Sequence, residues 1–497
     1  MMRSLYSAVS GLKTHQTKMD VIGNNIANVN TQAFKASTVR FSEIMYQTTA
    51  SASSGNPVAG TGGKNAKQIG LGVTTGATAV SITTAGAAET TGNPFDLKLT
   101  DKNSTNFFVV SDGTSTFFTR AGDFYVDGNG YMCMSSTGYT LQGWQVDANG
   151  NVIVDTVTPL QVMAPQNQTS APEATTLAYV SGIIDKNDTN AADQGRTITL
   201  GFFDDLGYKY TAKFNITKNA NDGEYTVKLT DILSSGTSTT AKSIFELDDF
   251  GNFVTTDAQG NTGDVVFNGR AYRLDDIFNT ATLSFDETDG TFTNIINDTI
   301  MNDATLTDAD RDINKNVTLN LNLLLTEDAI NGTAPATDSN FAQITMDWSS
   351  ALNYNNNGTS TIGATNGTIR GEGTGKALGA LTGIAVDGDG CIYGSYDNGN
   401  TVCLGQIAVA QFANASGLEK VGENCYQTTL NSGEFDGVGM AINSDGSAIS
   451  SGQLEMSNVD LSAQFTDMII TQRGFQANSR VITTSDTLLE ELINLKR

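Results

Sequence analysis

Residues 4–29 read SLYSAVSGLKTHQTKMDVIGNNIANV, and their spacing shapes everything that follows. Leu5, Leu12, Met19 and Ile26 recur in one heptad row, and Ala8, Ile22 and Val29 in the adjoining row, with His15 in its remaining slot. A period of 3.5 with a narrow seam predicts a helix that lies along another helix, not one seated on a broad globular core. The far end repeats the device. Leu461, Met468, Phe475, Ile482 and Leu489 form one row, and Phe465 and Ile493 lie in the next. Ser457 and Asp460 make a Ser-x-x-Asp cap ahead of the run. A helix over 458–495 is expected, about 57 Å long at about 1.5 Å per residue. Gly474 weakens it by roughly 1 kcal/mol without breaking it.

Between these ends no helical period persists. Residues 95–160 alternate short β-prone runs such as Phe107-Phe-Val-Val110 and Phe124-Tyr-Val126 with turn signals such as Asp112-Gly113 and Asp127-Gly-Asn-Gly130. Asn-Gly between such runs predicts hairpins whose two turn residues take positive φ. The same texture returns at 380–445, and 170–355 form a third β-rich block containing Arg196–Phe203 and Val317–Leu325. Residues 48–93 are rich in Gly, Ser, Thr and Ala and read as extended or loop-like.

Charge follows the same division. The 497 residues carry 28 basic and 53 acidic groups, a net −25. Residues 1–45 hold +3 and 458–497 hold −1, so the middle carries −27. That acidity opposes binding to nucleic acid, whose phosphates need Lys and Arg. With one histidine, His15, a His-rich metal site or a histidine acid/base pair is out of reach. Cys133, Cys391, Cys403 and Cys425 fit no zinc or CxxC spacing and read as ordinary thiols. Asp127-Gly-Asn-Gly130 and Asp387-Gly-Asp-Gly390 look like calcium loops but have Tyr131 and Cys391 in the fifth place, so they read as turns. Neither Gly63-Lys64 nor Gly375-Lys376 is followed by Ser or Thr, as a phosphate loop requires. No stretch is long and apolar enough to span a membrane, and the N-terminus lacks the apolar core of a cleaved signal peptide. No catalytic, metal or cofactor site is expected.

The end of the first helix is unusual. Asn24, Asn25, Asn28 and Asn30 crowd the stretch that runs to Thr31. Asparagine tolerates a left-handed backbone and stops helices, but four amides exceed what a stop needs. A hydrogen-bonded corner that turns the chain out of the helix is expected.

Several stretches together resemble the bacterial flagellar rod and hook proteins. They are Ser7-Ala-Val-Ser-Gly-Leu12, Gly23-Asn-Asn-Ile-Ala-Asn-Val-Asn-Thr31 with Phe34-Lys35, and Thr119-Arg-Ala-Gly-Asp-Phe124. Tyr396-Asp-Asn-Gly399, Gly417-Leu-Glu-Lys-Val-Gly422 and Leu454-Glu-Met-Ser-Asn-Val-Asp-Leu461 extend the likeness. It covers 1–165 and 375–497, and only loosely 170–355. One departure is Ala33, where the family usually has glycine, which weighs against a left-handed backbone there. The large middle and the Tyr396 stretch point within the family to a hook subunit. A distal rod or hook–filament junction protein shares the same ends.

The expected fold is therefore α+β and mainly β, with discontinuous nested domains. An axial helical domain takes 1–30 and 458–497, an extended connection 31–90 and 446–457, an inner β-domain 91–165 and 360–445, and an outer β-domain 166–359. Heptad-patterned ends that cannot bury their seams alone predict assembly of many copies. The interface residues are Leu5, Leu12, Met19, Ile22, Ile26 and Val29 on the first helix and Leu461, Phe465, Met468, Phe475, Ile482 and Leu489 on the second. The resemblance implies a self-assembling, non-enzymatic hook tube outside the cell that passes motor torque to the filament. It also implies export without a cleaved signal, and a distal rod protein, hook cap, junction protein and export apparatus as partners. No cofactor, nucleic acid or membrane insertion is expected. On residues alone a secreted β-rich adhesin or a hydrolase using acidic residues stays open, though neither explains the paired seams.

Overall fold

The computed structural model describes residues 2–55, 60, 62–147, 150–235, 241–257, 259–302, 314–331, 334–335 and 337–495. Residues 1 and 496–497 of the expected axial segment, 148–149 of the expected inner β-domain, and parts of the expected connecting and outer segments lie outside the described residues. The chain is mainly β with a long helix at each end. It divides into two compact units, Met1–Gln168 with Thr382–Ser395 and Thr401–Arg497, and Thr169–Leu381 with Tyr396–Asn400.

In the first unit helix α1 (Met2–Ala27) packs along helix α2 (Leu461–Asn494). The cap of α2 differs from the expected box. Asp460 is itself the N-cap, its carboxylate accepting from the backbone N–H of Ser462 and Ala463 at 2.8 and 3.2 Å. Ser457 instead accepts from the N–H of Val459 in a local turn before it. Aspartate serves as well as serine at an N-cap, and the helix begins three residues later than expected. Val29, expected in the seam, lies past the end of α1 in the turn that follows.

The segment expected to be extended or loop-like is extended, and paired into a two-stranded ribbon. Strand β1 (Ser37–Glu43) pairs antiparallel with β4 (Val73–Val80), and β2 (Tyr46–Ala50) with β3 (Lys67–Gly70). Thr, Val, Phe, Tyr and Ile within these strands favour extended backbone even beside a glycine-rich stretch. The β1–β4 half rests on α1, whereas every residue of β2 and β3 is exposed.

The unit's β body is an antiparallel sheet. Cys391–Tyr396, Thr401–Ile407, Thr140–Trp144, Asn106–Ser111, Thr116–Thr119, Cys425–Gln427 and Glu419–Gly422 follow one another across it. Phe107, Phe108, Val109 and Val110 are all fully buried, so this strand is covered on both faces and its apolar run is continuous instead of alternating. Residues 446–457, expected as a connection, supply two further strands, Ala448–Ser451 against Leu97–Thr100 and Gln453–Glu455 against Ala88–Thr90.

Two larger sheets frame the core of the second unit, beside a two-stranded ribbon of Val265–Phe267 and Arg270–Tyr272. Leu177–Asp185 runs parallel to Ile344–Tyr354 and antiparallel to Gly363–Asn366. A larger antiparallel sheet holds Arg196–Phe203, Lys209–Lys218, Glu224–Ser234, Ala281–Phe285 and Phe292–Asn297. Trp348, Phe202, Phe214 and Phe278 fill the core between them. Pairing of 363–366 with 177–185 is why residues 360–381, expected with the inner β-domain, group with this unit. The expected strand Val317–Leu325 stops at Leu319 and continues as a short 3-10 turn that drops Leu321 and Leu324 into the core.

The Asp-Gly turns also depart from expectation. At 127–131 only Gly130 takes positive φ, at +86°. Asp127 accepts from the N–H of Asn129 and Tyr131 at 3.0 and 2.7 Å. This is a type I turn closed by a glycine bulge, which needs one left-handed residue instead of two. The carboxylate that looked like a calcium ligand is spent on backbone N–H groups.

Candidate assembly surface

Small and polar residues stand at several of the contact points between α1 and α2. A Cβ on Gly11 would stand 2.7 Å from the Asn478 amide, and one on Gly474 would stand 2.7 Å from the His15 ring. Lys18 pairs with Asp467 at 3.3 Å, and Asn25 donates to Gln464 at 3.1 Å. The α2 numbers fall as the α1 numbers rise, so the helices are antiparallel. Gly474 thus has a reason beyond tolerance: it makes room for His15, whose ring also stands edge-on to Phe41 of β1 at 5.6 Å. Burial and the neighbouring Lys18 push the pKa of His15 down.

The expected interface residues separate into two groups. Met468, Phe475, Ile482 and Leu489 are half-buried, at seven-residue spacing on the side of α2 that also carries buried Thr471 and Ser485. On α1, Ala8 and Ile22 are buried, while Leu5, Leu12, Met19 and Ile26, and Val29 beyond it, are half-buried. Leu461 and Phe465 stand in solvent, Phe465 at 51% exposure, as does Ile493. A second apolar stripe on α2 escaped the heptad reading. Ile470, Val481, Leu488, Leu492 and Leu495 are all exposed, at separations of 11, 7, 4 and 3 residues that keep them on one side of a helix. Its signal was present as an eleven-then-seven spacing, masked by the stronger strict heptad. Each such half-exposed side chain would gain on the order of 1 kcal/mol from being covered.

The asparagine corner is centred on one residue. Asn25 is buried, its Oδ1 accepts from the Ser37 N–H at 3.0 Å and its Nδ2 donates to the Ser37 carbonyl at 2.8 Å. With the bond to Gln464 it ties α1, β1 and α2 together. Asn28 donates to the Asn24 carbonyl at 2.9 Å and accepts from the Thr31 hydroxyl at 3.1 Å. The Asn24 and Asn30 side chains are exposed. Ala33 takes φ +54° despite its side chain. Its N–H donates to the Glu455 carbonyl at 2.7 Å, and its methyl is buried in the β core.

A buried charge cluster lies where the ends of the chain meet the β body, and the sequence reading missed it. Lys35 Nζ bonds to Glu455 Oε1 at 2.7 Å and to the Thr84 carbonyl at 2.8 Å. Arg120 Nε reaches the other Glu455 oxygen at 3.0 Å, and its guanidinium pairs with Asp101 at 2.6 Å. Lys35, Arg120 and Glu455 are each 1% exposed. Burial by itself raises the Glu455 carboxyl, but Arg120 and then Lys35 outweigh it and hold the group below the ordinary carboxylate range. Lys35, Arg120 and Glu455 belong to three separate signature stretches already quoted. Their spacing along the chain gives no hint that they converge.

Two antiparallel terminal helices thus return to one β body. The family described as flagella basal body rod protein matches residues 5–35, and the one described as flagellar basal body rod FlgEFG protein C-terminal matches 450–495. The chain is 35% identical to the flagellar hook protein FlgE of Treponema pallidum and 32% identical to that of Borreliella burgdorferi, each over 100% of both chains. It is also 26% identical, again over 100% of both, to the flagellar basal-body rod protein FlgG of Bacillus subtilis. The Helicobacter pylori hook protein FlgE2 structure aligns at 12% identity and TM-score 0.36, over 74% of this chain and 100% of that one. The chain belongs to the flagellar hook protein family and is a structural subunit of the hook.

Proposed function

We propose that copies of this chain bundle α1 and α2 around a central channel and polymerise into a short curved tube that works as a universal joint between motor and filament. The observation that carries this is the inversion at the ends: the helices meet through Gly11, Gly474, Asn25 and Lys18, while Phe465, Ile470, Leu488 and Leu492 face out. A repeated heterologous contact that does not close into a ring yields a helical tube. The fully exposed β2–β3 ribbon supports the same reading, because a two-stranded ribbon is marginal in water unless something covers it.

In this reading the nested β regions lie outside the bundle, where the −27 of residues 46–457 faces water. Tight contacts between helices transmit torque, and wetter contacts between β regions slide as the tube turns. The proposed assembly interface comprises Leu5, Leu12, Met19, Ile22, Ile26 and Val29 with Leu461, Phe465, Met468, Phe475, Ile482 and Leu489, and the exposure of Ile470, Leu488 and Leu492 supports extending it to them. The corner Asn24, Asn25, Asn28, Asn30 and Thr31 sets the exit angle from the bundle. The chain leaves the cell through the flagellar export apparatus and meets the distal rod protein, the hook cap and the junction protein.

The test is the double substitution Leu488→Asp with Leu492→Asp. Both side chains are about half exposed in one copy, so the monomer's thermal unfolding should change by no more than about 0.5 kcal/mol while sedimentable tubes are lost. Tubes formed at the wild-type threshold concentration would refute the interface.

A further inference from the structure

The strands Cys391–Tyr396 and Thr401–Ile407 are antiparallel, with Cys391 opposite Gln406 and Tyr393 opposite Cys403. Ile392, Gly394 and Tyr396 point into the protein, so Cys391 and Tyr393 share the solvent side of the sheet. Cys403 lies across from Tyr393 and is thus the diagonal neighbour of Cys391. The register slips by one residue between Ile392 and Tyr393, and such bulges sharpen the local twist. The Cys391 thiol interacts with the Cys403 sulfur and the Tyr393 side chain. Both thiols are partly exposed, whereas Cys133 and Cys425 are buried.

We propose that Cys391 and Cys403 are a redox-modification site, closing a cross-strand disulfide when the folded protein meets a low-molecular-weight or protein disulfide. One thiolate attacks a sulfur of the external disulfide and expels its first thiolate. The second cysteine then attacks the mixed disulfide and expels the other. Two protein thiols are oxidised, one external disulfide is reduced to two thiols, and the two protons go to solvent or to the leaving thiolates. Burial, together with the adjacent Cys403, raises the Cys391 thiol to about 11. At neutral pH the pair therefore reacts slowly, and its rate should climb with pH. The closed loop holds the turn Asp397–Asn400, so the modification would pin that turn between its two strands.

The full-length reduced protein is incubated with oxidised glutathione at about pH 8.5, near the ordinary thiol range. It is then alkylated without denaturation and digested for mass spectrometry. The wild type should lose alkylation at Cys391 and Cys403 together. It should also yield one peptide holding both cysteines and lacking two hydrogens, or a linked pair where the protease cuts between them, with no retained glutathione. Cys391→Ser and Cys403→Ser should each trap glutathione on the remaining cysteine, because the resolving thiol is gone. Glutathione retained on the wild type, both thiols still alkylated, or a link between two molecules would each overturn the assignment. The readout needs no assembled tube, so it stands apart from the hook reading.

Discussion

The second unit and the terminal helix pair use opposite arrangements of the same side chains. In the second unit Trp348, Phe202, Phe214 and Phe278 are fully enclosed between two sheets. In the helix pair the enclosed positions are Ala8, Gly11, Thr14, Ile22, Asn25, Thr471 and Ser485, mostly small or polar, while Phe465, Leu488 and Leu492 are outside. One region has finished burying its apolar surface within a single chain and the other has not. Small contact residues let two helices approach closely without using up the large apolar ones, which then remain for neighbouring copies.

Between the helices and the β body sits the Lys35–Glu455–Arg120 cluster, and breaking it should have the largest effect on the isolated protein. Glu455→Gln leaves two buried cations facing a neutral amide and should cost about 3–5 kcal/mol. Denaturant unfolding followed by a probe in each unit should show the loss in the first unit and none in the second. The wild type carries a pH signature as well. Because the folded Glu455 is held below its ordinary value, its contribution is complete above about pH 4.3. It disappears as pH falls through the folded pKa. That acid-side loss should vanish in Glu455→Gln.

A smaller effect is expected at the helix crossing. Gly474→Val puts a branched side chain where even a Cβ would be 2.7 Å from His15, which should part α1 from α2 at a cost of about 1–3 kcal/mol. Limited proteolysis should then release both ends faster while the β fragments persist unchanged. Equal resistance of the ends would show that the glycine is not a contact. The smallest effect belongs to Ala33→Gly. Relief of a left-handed alanine is worth about 1–2 kcal/mol. Loss of a buried methyl, about 0.8 kcal/mol, and a freer unfolded chain, about 0.4–1 kcal/mol, oppose it. Thermal unfolding should move by less than about 1 kcal/mol.

The same contrast explains what could be read in the residues. Heptad rows announced both helices because their period is local, and Phe107–Val110 announced a strand for the same reason. Ribbon β1–β4 was hidden because a Gly- and Ser-rich stretch separates its strands and the paired residues lie about thirty to forty positions apart. The charge cluster was hidden more deeply, since Lys35 and Glu455 are 420 residues apart and nothing in either neighbourhood marks a partner. The exposed stripe through Ile470, Val481 and Leu488 was legible in principle, but the strict heptad of Leu461 to Leu489 drew the reading to the neighbouring side of the helix. Ala33 shows the limit of a residue-type argument: a backbone bond to Glu455 and a buried methyl hold a conformation that alanine alone disfavours.

Amide hydrogen exchange, compared between dilute monomer and assembled tube, puts the contrast to its most direct trial. Residues 2–27 and 461–494 should exchange quickly in the monomer and become protected on assembly, while the core strands of the second unit stay protected in both states. Terminal helices already as protected in the monomer as the strand around Trp348 would contradict the account.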